Sequence, residues 1–198
     1  MTDMGIQIRN LCKTYNGQKV LDHFCAEIPE GVTTCIMAPS GKGKTTLFRI
    51  LLGLEEADSG VIKGLENRQL RAVFQEDRLC ENLTAEANIR LVQKGKKGKS
   101  QEFLQQVEEG LLAVGLKDCG KRQVKELSGG MKRRVALLRA IYADWDVLLL
   151  DEPFKGLDRE TRECVLAFVQ ERFREKTVLC ITHEREEAEA LGAKIIAL

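Results

Sequence analysis

Three short apolar runs limit what this chain can fold into more than any other feature: "TTCIMA" (Thr33 to Ala38), "VLLL" (Val147 to Leu150) and "TVLCIT" (Thr177 to Thr182). Each has the length and the flanks of a buried strand and lacks the polar alternation of a strand with one wet face, so each reads as part of a parallel sheet covered on both sides. Each also ends on residues able to do chemistry. "PSGKGKTT" follows the first, "DEP" the second, and His183, one of two histidines, the third. Open α/β sheets bind ligands beyond the carboxyl ends of their strands, so the three ends are expected to converge on one site.

Between the strands run helical patterns with apolar residues at three- and four-residue spacing: "TTLFRILLGL" from Thr45, "MKRRVALLRAIYA" from Met131 and "ETRECVLAFVQERFREK" from Glu160. The stretch from about Asp77 to Lys125 differs. It is polar, mostly helical in pattern and interrupted by "KGKKGK" (Lys94 to Lys99), which reads as a solvated loop. A helical subdomain inserted between two parts of an α/β core is expected there. The 198 residues allow one domain with a sizeable core and a small subdomain. The 31 basic and 30 acidic side chains nearly cancel, which gives no electrostatic argument for nucleic acid. Seven scattered cysteines without a C-x-x-C pair suggest neither a disulfide framework nor a zinc site; reduced thiols in a cytosolic protein are expected. The N-terminus lacks the apolar core of a signal peptide and no apolar run has membrane-spanning length, so a membrane would enter through a partner.

"APSGKGKTT" (Ala38 to Thr46) fits a phosphate-binding loop, with Ala38 where the pattern G-x-x-x-x-G-K-[ST] has glycine. Such a loop surrounds an anion with successive backbone N–H groups, and the dipole of the following helix favours the same charge. Gly41 and Gly43 supply the permissive backbone, Lys44 would reach the β- and γ-phosphates, and the Thr45 hydroxyl would bind Mg²⁺. Ala38 falls at the strand end, where an extended backbone of negative φ accepts a methyl group. A Gly/Ser turn between strand and helix is the plain alternative.

In "VLLLDEP", Asp151 is placed to hold Mg²⁺ and Glu152 to deprotonate an attacking water, although both could instead cap the next helix or pair with nearby lysines. "LSGGM" (Leu127 to Met131) precedes a strong helix. Ser128 reads first as an N-cap, and the same geometry makes an anion site of Ser128, Gly129 and Gly130.

In this order the motifs resemble those of the nucleotide-binding subunit of ATP-binding cassette (ABC) transporters over nearly the whole chain, Ile6 to Leu198. "APSGKGKTT" looks like the Walker A loop, which brings Pro39, Ser40, Lys42 and Thr46 to the nucleotide beside the residues already named. "VFQED" supplies the Q-loop glutamine, Gln75; "LSGGM" matches the signature; "VLLLDEP" matches Walker B. "KGLD" is similar to the D-loop, with Asp158, and "THE" to the switch histidine, His183. Tyr15 falls where the family stacks an aromatic ring on adenine.

The resemblance implies an α/β fold of the P-loop NTPase kind, a mostly parallel sheet flanked by helices with a small antiparallel β part, plus the inserted helical subdomain. It implies one nucleotide-binding domain, with residues 1–76 and 126–198 as the core and 77–125 as the subdomain. It also implies ATP and Mg²⁺, the cation held by Thr45, Gln75 and Asp151, and hydrolysis by Glu152 with Lys44, His183 and Gln75. The working form would be a head-to-tail pair of identical cassettes in which Ser128, Gly129 and Gly130 of one copy cover the ATP of the other. Integral-membrane permease subunits would dock on the helical subdomain, at the inner face of the cell membrane. "VFQEDRL" is similar to the same run in importers of nitrate, sulfonates and taurine. Met131 departs from the usual glutamine, the interval from Lys44 to Gln75 is short for the family, and no C-terminal regulatory domain is expected. The competing readings are a soluble cassette acting on ribosomes or DNA, against which the absence of a tandem cassette or a long coiled coil counts, and a small-molecule kinase, against which the signature, D-loop and switch histidine count.

Overall fold

The structure, a computed structural model, describes residues 5–39, 42–93, 95, 98 and 100–198. They divide into two compact units: residues up to 70 with 146–151 and 173–198, and residues 71–145 with 152–172.

In the first unit, β1 (Ile6–Tyr15) and β2 (Gln18–Ile28) form a hairpin, and β4 (Ser59–Lys63) pairs with the other edge of β1, giving an antiparallel sheet of order β2-β1-β4. The hairpin turns on Asn16 and Gly17, at φ 48 and 80, with Tyr15 paired to Gln18. Positive φ at both central residues matches the right-handed twist of the flanking strands, which is why Asn-Gly is favoured there.

The second sheet of this unit is parallel, in the order β6 (Val147–Asp151), β7 (Thr177–Ile181), β3 (Thr33–Met37) and β8 (Lys194–Ala197). Every residue of β6 and β7 is buried, as continuous apolar runs require of strands covered on both faces. Register aligns the carboxyl ends: Asp151 pairs with Ile181 and Ile181 with Ile36, so the residues after β6, β7 and β3 leave one edge of the sheet. With neighbours about 4.8 Å apart, β3 and β6 are separated by roughly 10 Å. Helix α1 (Lys44–Leu51) begins just after β3 and buries Leu47, Phe48, Ile50 and Leu51.

The second unit contains β5 (Leu70–Val73) at its start, α2 (Ala85–Arg90), α3 (Gln101–Ala113), α4 (Gly129–Ile141) and most of α5 (Arg159–Phe173). Thr84, Ser100 and Ser128 cap α2, α3 and α4, each side chain accepting from the backbone N–H three residues on. Ile89, Phe103, Val107 and Val135 are buried where α2, α3 and α4 pack, and Tyr142 meets Phe103 edge to face at 5.8 Å. The stretch 77–125 expected to be helical lies within this unit; the lysines of the Lys94 to Lys99 run lie outside the described residues. Helix α6 (Arg185–Ala190) returns to the first unit.

Leu149, in the middle of β6, is 1% exposed. Leu149→Ala is expected to lower the unfolding free energy by about 2–5 kcal/mol through the lost apolar burial and the cavity left behind, read as a lower urea midpoint. A midpoint equal to that of the unaltered chain would mean that β6 is not enclosed on both faces.

Candidate functional site

In the first unit the loop after β3 carries the expected phosphate-binding residues, of which Ser40 and Gly41 lie outside the described residues. Ala38 is buried and is not among the residues at positive φ, the conformation that would have opposed its methyl group. Pro39 and Lys42 are exposed, and the Lys42 N–H donates to the Pro39 carbonyl at 3.4 Å. Gly43 is the N-cap of α1 at φ 82, and a Cβ there would fall 2.5 Å from the Val20 carbonyl oxygen, so only glycine fits. The cap provides no side-chain acceptor and the first turn of α1 holds no acid, which leaves the positive end of the helix uncompensated by its own residues. Lys44 is 8% exposed, and its ammonium donates to the carbonyls of Ala38 at 2.6 Å and Pro39 at 2.9 Å. Thr45 is exposed and Thr46 half-buried.

Asp151, 3% exposed, closes β6. Beyond β7, Thr182 donates to the Glu187 carboxylate at 2.5 Å and accepts from the Glu184 N–H at 3.1 Å, fixing the corner on which His183 stands. His183 Nε2 lies 3.2 Å from Glu184 Oε1, with about half of the ring exposed. Tyr15, at the hairpin end of β1, donates its hydroxyl to Glu55 and keeps 40% of its surface open. The hydrogen bond to Glu55, then burial, raise its phenol above the usual range, while the Thr46 side chain in α1 acts against them. Lys13 stands 5.4 Å from the ring centroid and 3.7 Å from Glu55.

In the second unit the run Phe74 to Arg78 is held against α4. Arg133 donates to the Phe74 carbonyl at 2.6 Å and to the Gln75 carbonyl, and Arg139 to those of Asp77 and Arg78 at 3.2 and 2.9 Å. The Arg78 guanidinium covers the Phe74 ring at 3.6 Å. The Gln75 side chain is left exposed. Ser128 accepts from the Met131 N–H at 3.3 Å, which is the capping role read from the sequence. The N–H groups of Gly129 and Gly130 have no partner within the helix, and the first turn of α4 contains no acid, so the cap and an anion site can coexist. Asp158 accepts from the backbone N–H of Thr161 at 2.9 Å and from its hydroxyl at 2.8 Å, and these bonds hold its carboxyl below the usual range.

Glu152, directly after Asp151, stands at φ 47 with its side chain 13% exposed and 2.7 Å from the Lys155 ammonium. Pairing with a nearby lysine was one of the alternatives open for this residue. Sequence reasoning did not find the arginine clamp on residues 74–78 or the Lys13 and Glu55 setting of Tyr15. Glu55 is 40 positions from Tyr15 and the arginines are up to 62 from the carbonyls they hold, so they carry no local signal.

Among the described residues Cys12, Asp22 and His23 also come together, each offering a ligand atom within 4.8 Å of the others. An irregular register between β1 and β2 causes this, because Leu11 pairs with Phe24 and Lys13 with Leu21, so Cys12 faces two residues of β2. The scattered cysteine spacing gave no sign of it.

Three comparisons bear on these residues. A family model described as ABC transporter matches residues 21–155. The taurine import ATP-binding protein TauB of Jannaschia sp. is 36% identical, with 98% of this chain and 77% of that protein covered. The spermidine/putrescine import ATP-binding protein PotA of Marinobacter nauticus and the sulfate/thiosulfate import ATP-binding protein CysA of Synechocystis sp. are each 35% identical over 98% of this chain; the chain spans 55% and 58% of their lengths. Among solved structures, a dimer of the bacterial ABC transporter cassette MJ0796 is similar with a TM-score of 0.83 at 28% identity, over 98% of this chain and 94% of that one. A dimeric post-hydrolysis state of the same cassette bound to ADP and Pi gives 0.82 at 27% identity over the same shares.

Asp77 yields a pH dependence. Burial raises its carboxyl above the usual 3.8, against the pull of Arg133, Lys132 and Arg139. Arg133 Nη1 is 3.2 Å from Asp77 Oδ1 but poorly aligned, and that buried oxygen has no hydrogen-bond partner among the described residues. The folded chain therefore holds this proton more tightly than the unfolded one. The resulting stability is present below the ordinary carboxylate range and is lost as pH rises through the raised value. Asp77→Asn is expected to remove that slope from a series of urea midpoints between about pH 4 and pH 7. Equal slopes in both proteins would show that burial does not penalise the Asp77 charge.

Proposed function

Because the chain belongs to the ABC transporter family, we propose that it binds ATP with Mg²⁺, hydrolyses the nucleotide within a head-to-tail pair of cassettes, and thereby energises a membrane permease. Its fold is that of the cassette, an α/β architecture with a parallel sheet flanked by helices and a small antiparallel sheet.

The observation that carries the reading is the start of α1, where Gly43 alone fits beneath Val20 and brings an uncompensated helix end and the Lys44 ammonium to one loop. A polyphosphate fits such a donor set. The exposed Thr45 hydroxyl and the Asp151 carboxylate are hard oxygen donors suited to Mg²⁺, with Gln75 as a further one. When bound, Mg²⁺ supplies neutralisation of the charge on the transferring phosphoryl group. Lys44 leaves the carbonyls of Ala38 and Pro39 for the phosphates. The open face of Tyr15 takes the base. Glu152 accepts the proton of the attacking water, and His183 and Gln75 orient the reacting groups. Ser128, the Gly129 and Gly130 amides and Asp158 serve the nucleotide of the partner cassette, a role consistent with the exposure of Ser128 and Gly129 and with the dimers formed by MJ0796.

The division into a core of 1–76 and 126–198 and a docking subdomain of 77–125 is part of the same proposal. Leu83, Leu91 and Leu112 are large apolar side chains exposed in that stretch, at 38, 56 and 59%, and offer a permease apolar contact. Among the described residues no helix is long and apolar enough to cross a membrane; in this reading the permease supplies the spans and the cassette works at their cytoplasmic side. The three relatives named above are import subunits of unlike cargo at nearly equal identity, which supports a permease over ribosomes or DNA as the partner.

The test is ATP turnover of the full chain, with its partners captured from gently solubilised membranes. Glu152→Gln is expected to keep nucleotide affinity within about twofold while kcat falls roughly 100-fold or more, the size of a lost general base. Turnover like that of the unaltered chain would remove Glu152 from this role, and capture of ribosomes or chromosomal proteins without a multi-span partner would overturn the coupling to transport.

A further inference from the structure

Cys12 of β1 stands across from two residues of β2. The strands pair Leu11 with Phe24 and Lys13 with Leu21, so a single residue of β1 opposes both Asp22 and His23, the two-against-one count of a β-bulge. Neighbours along a regular strand point to opposite faces, which would send the Asp22 and His23 side chains apart. His23 breaks that alternation by standing at φ 52, a left-handed conformation uncommon outside glycine. As a result Cys12, Asp22 and His23 each bring one ligand atom within 4.8 Å of the other two. His23 Nδ1 lies 2.8 Å from Asp22 Oδ1, and the His23 N–H donates to Cys12 Sγ at 3.3 Å. The Lys19 ammonium donates to the Asp22 oxygens at 3.0 and 3.2 Å. Hydrogen bonds from Lys19 and then His23 hold the Asp22 carboxyl below the usual range.

We propose that Cys12, Asp22 and His23 form a binding site for a zinc-like divalent cation, with three ligands from the protein and the fourth position left to water. Zinc takes sulfur at about 2.3 Å and nitrogen or oxygen at about 2.0–2.2 Å, which sets the donors around a tetrahedral ion roughly 3.3–3.6 Å apart. The cluster reaches that spacing by small side-chain movements, and the Asp22 and His23 side chains, 54 and 70% exposed, are free to make them. Their exposure also gives the ion a way in. A thiolate beside an imidazole favours zinc over magnesium or calcium, which want oxygen alone. The thiolate and the carboxylate together match the charge of the ion, and Asp22 needs only one oxygen for it, so Lys19 keeps the other. In the metal-free chain the Cys12 thiol donates to the Asn10 carbonyl at 3.6 Å; when the sulfur binds metal, that proton passes to solvent. The His23 N–H already aimed at the sulfur is then the outer-shell donor that steadies a metal-bound thiolate. A metal held there pins β1 to β2, the hairpin that carries Tyr15 and Val20.

The test titrates zinc itself into the full chain, without nucleotide and with the thiols kept reduced by a phosphine. Saturable binding of one ion per chain at micromolar zinc is expected, with a melting temperature that rises as zinc is added in excess, as for any ligand of the folded state alone. Cobalt(II) accepts the same donors and identifies them, because a bound thiolate gives a sulfur-to-cobalt charge-transfer band in the near ultraviolet. Cys12→Ser is expected to abolish that band. Cys12→Ser and His23→Asn should each weaken zinc roughly 100-fold or more, beyond the loss of an outer-shell partner. Asparagine accepts a left-handed backbone, so the second variant keeps the bulge. Cys25→Ser, at a neighbouring exposed thiol, should leave the affinity within about twofold. Absence of saturable zinc binding by the unaltered chain overturns the proposal, as does a cobalt complex without the thiolate band; neither outcome depends on a variant that folds. Zinc affinity unchanged in Cys12→Ser or His23→Asn, or lost instead in Cys25→Ser, overturns it as well.

Discussion

An ammonium withdrawn almost wholly from water must find oxygen, and Lys44 finds it in the carbonyls of Ala38 and Pro39. That contact ties the first turn of α1 to the residues just after β3. It depends on Gly43, whose φ of 82 directs the chain into the helix and whose missing side chain lets the loop lie under the Val20 carbonyl. Val20 belongs to the antiparallel hairpin, so the small sheet is the floor on which the loop is built. Ala38, Pro39 and the start of α1 are thus held together by a cation on carbonyls of the chain itself, and under the proposed function that cation would exchange them for phosphate.

The parallel sheet contributes position. The strands β6, β7 and β3, nearly all of whose residues are buried, send their carboxyl ends to one edge, and a one-residue slip of β6 would turn Asp151 to the opposite face. The apolar sequences of β6 and β7 serve this register as much as they serve stability. At the same edge Glu152 leaves regular structure altogether. The most regular part of the fold is followed at once by a strained residue, an arrangement that persists only where the surroundings over-determine it.

Much of this could be read from the sequence. The three apolar runs became β3, β6 and β7 to within a residue, and the helical patterns from Thr45, Met131 and Glu160 became α1, α4 and α5, because period and length are local signals. The family followed from the order of motifs. The Asn16-Gly17 turn was legible too, as an Asn-Gly pair between alternating runs, and would have placed Tyr15 at a hairpin tip. What was hidden depends on contacts between distant positions: Arg133 and Arg139 on the backbone of Phe74 to Arg78, Glu55 on Tyr15, and the cluster of Cys12 with Asp22 and His23, which needs a register shift no spacing rule reports. Lys155 stood in plain view three positions after Glu152; that the two face each other follows from the turn and not from the spacing alone.

The clamp on α4 has a mechanical meaning. Arg133 and Arg139 stand nearly two turns apart and fasten the chain from Phe74 to Arg78 along the helix, whose first turn presents Gly129 and Gly130. A tilt of that one rod moves the Gln75 backbone and the two glycine amides through the same angle, with no slack between them. The chain from Phe74 to Arg78 and the Gly129 and Gly130 amides are therefore carried by one helix, joined to it by four hydrogen bonds from two arginines.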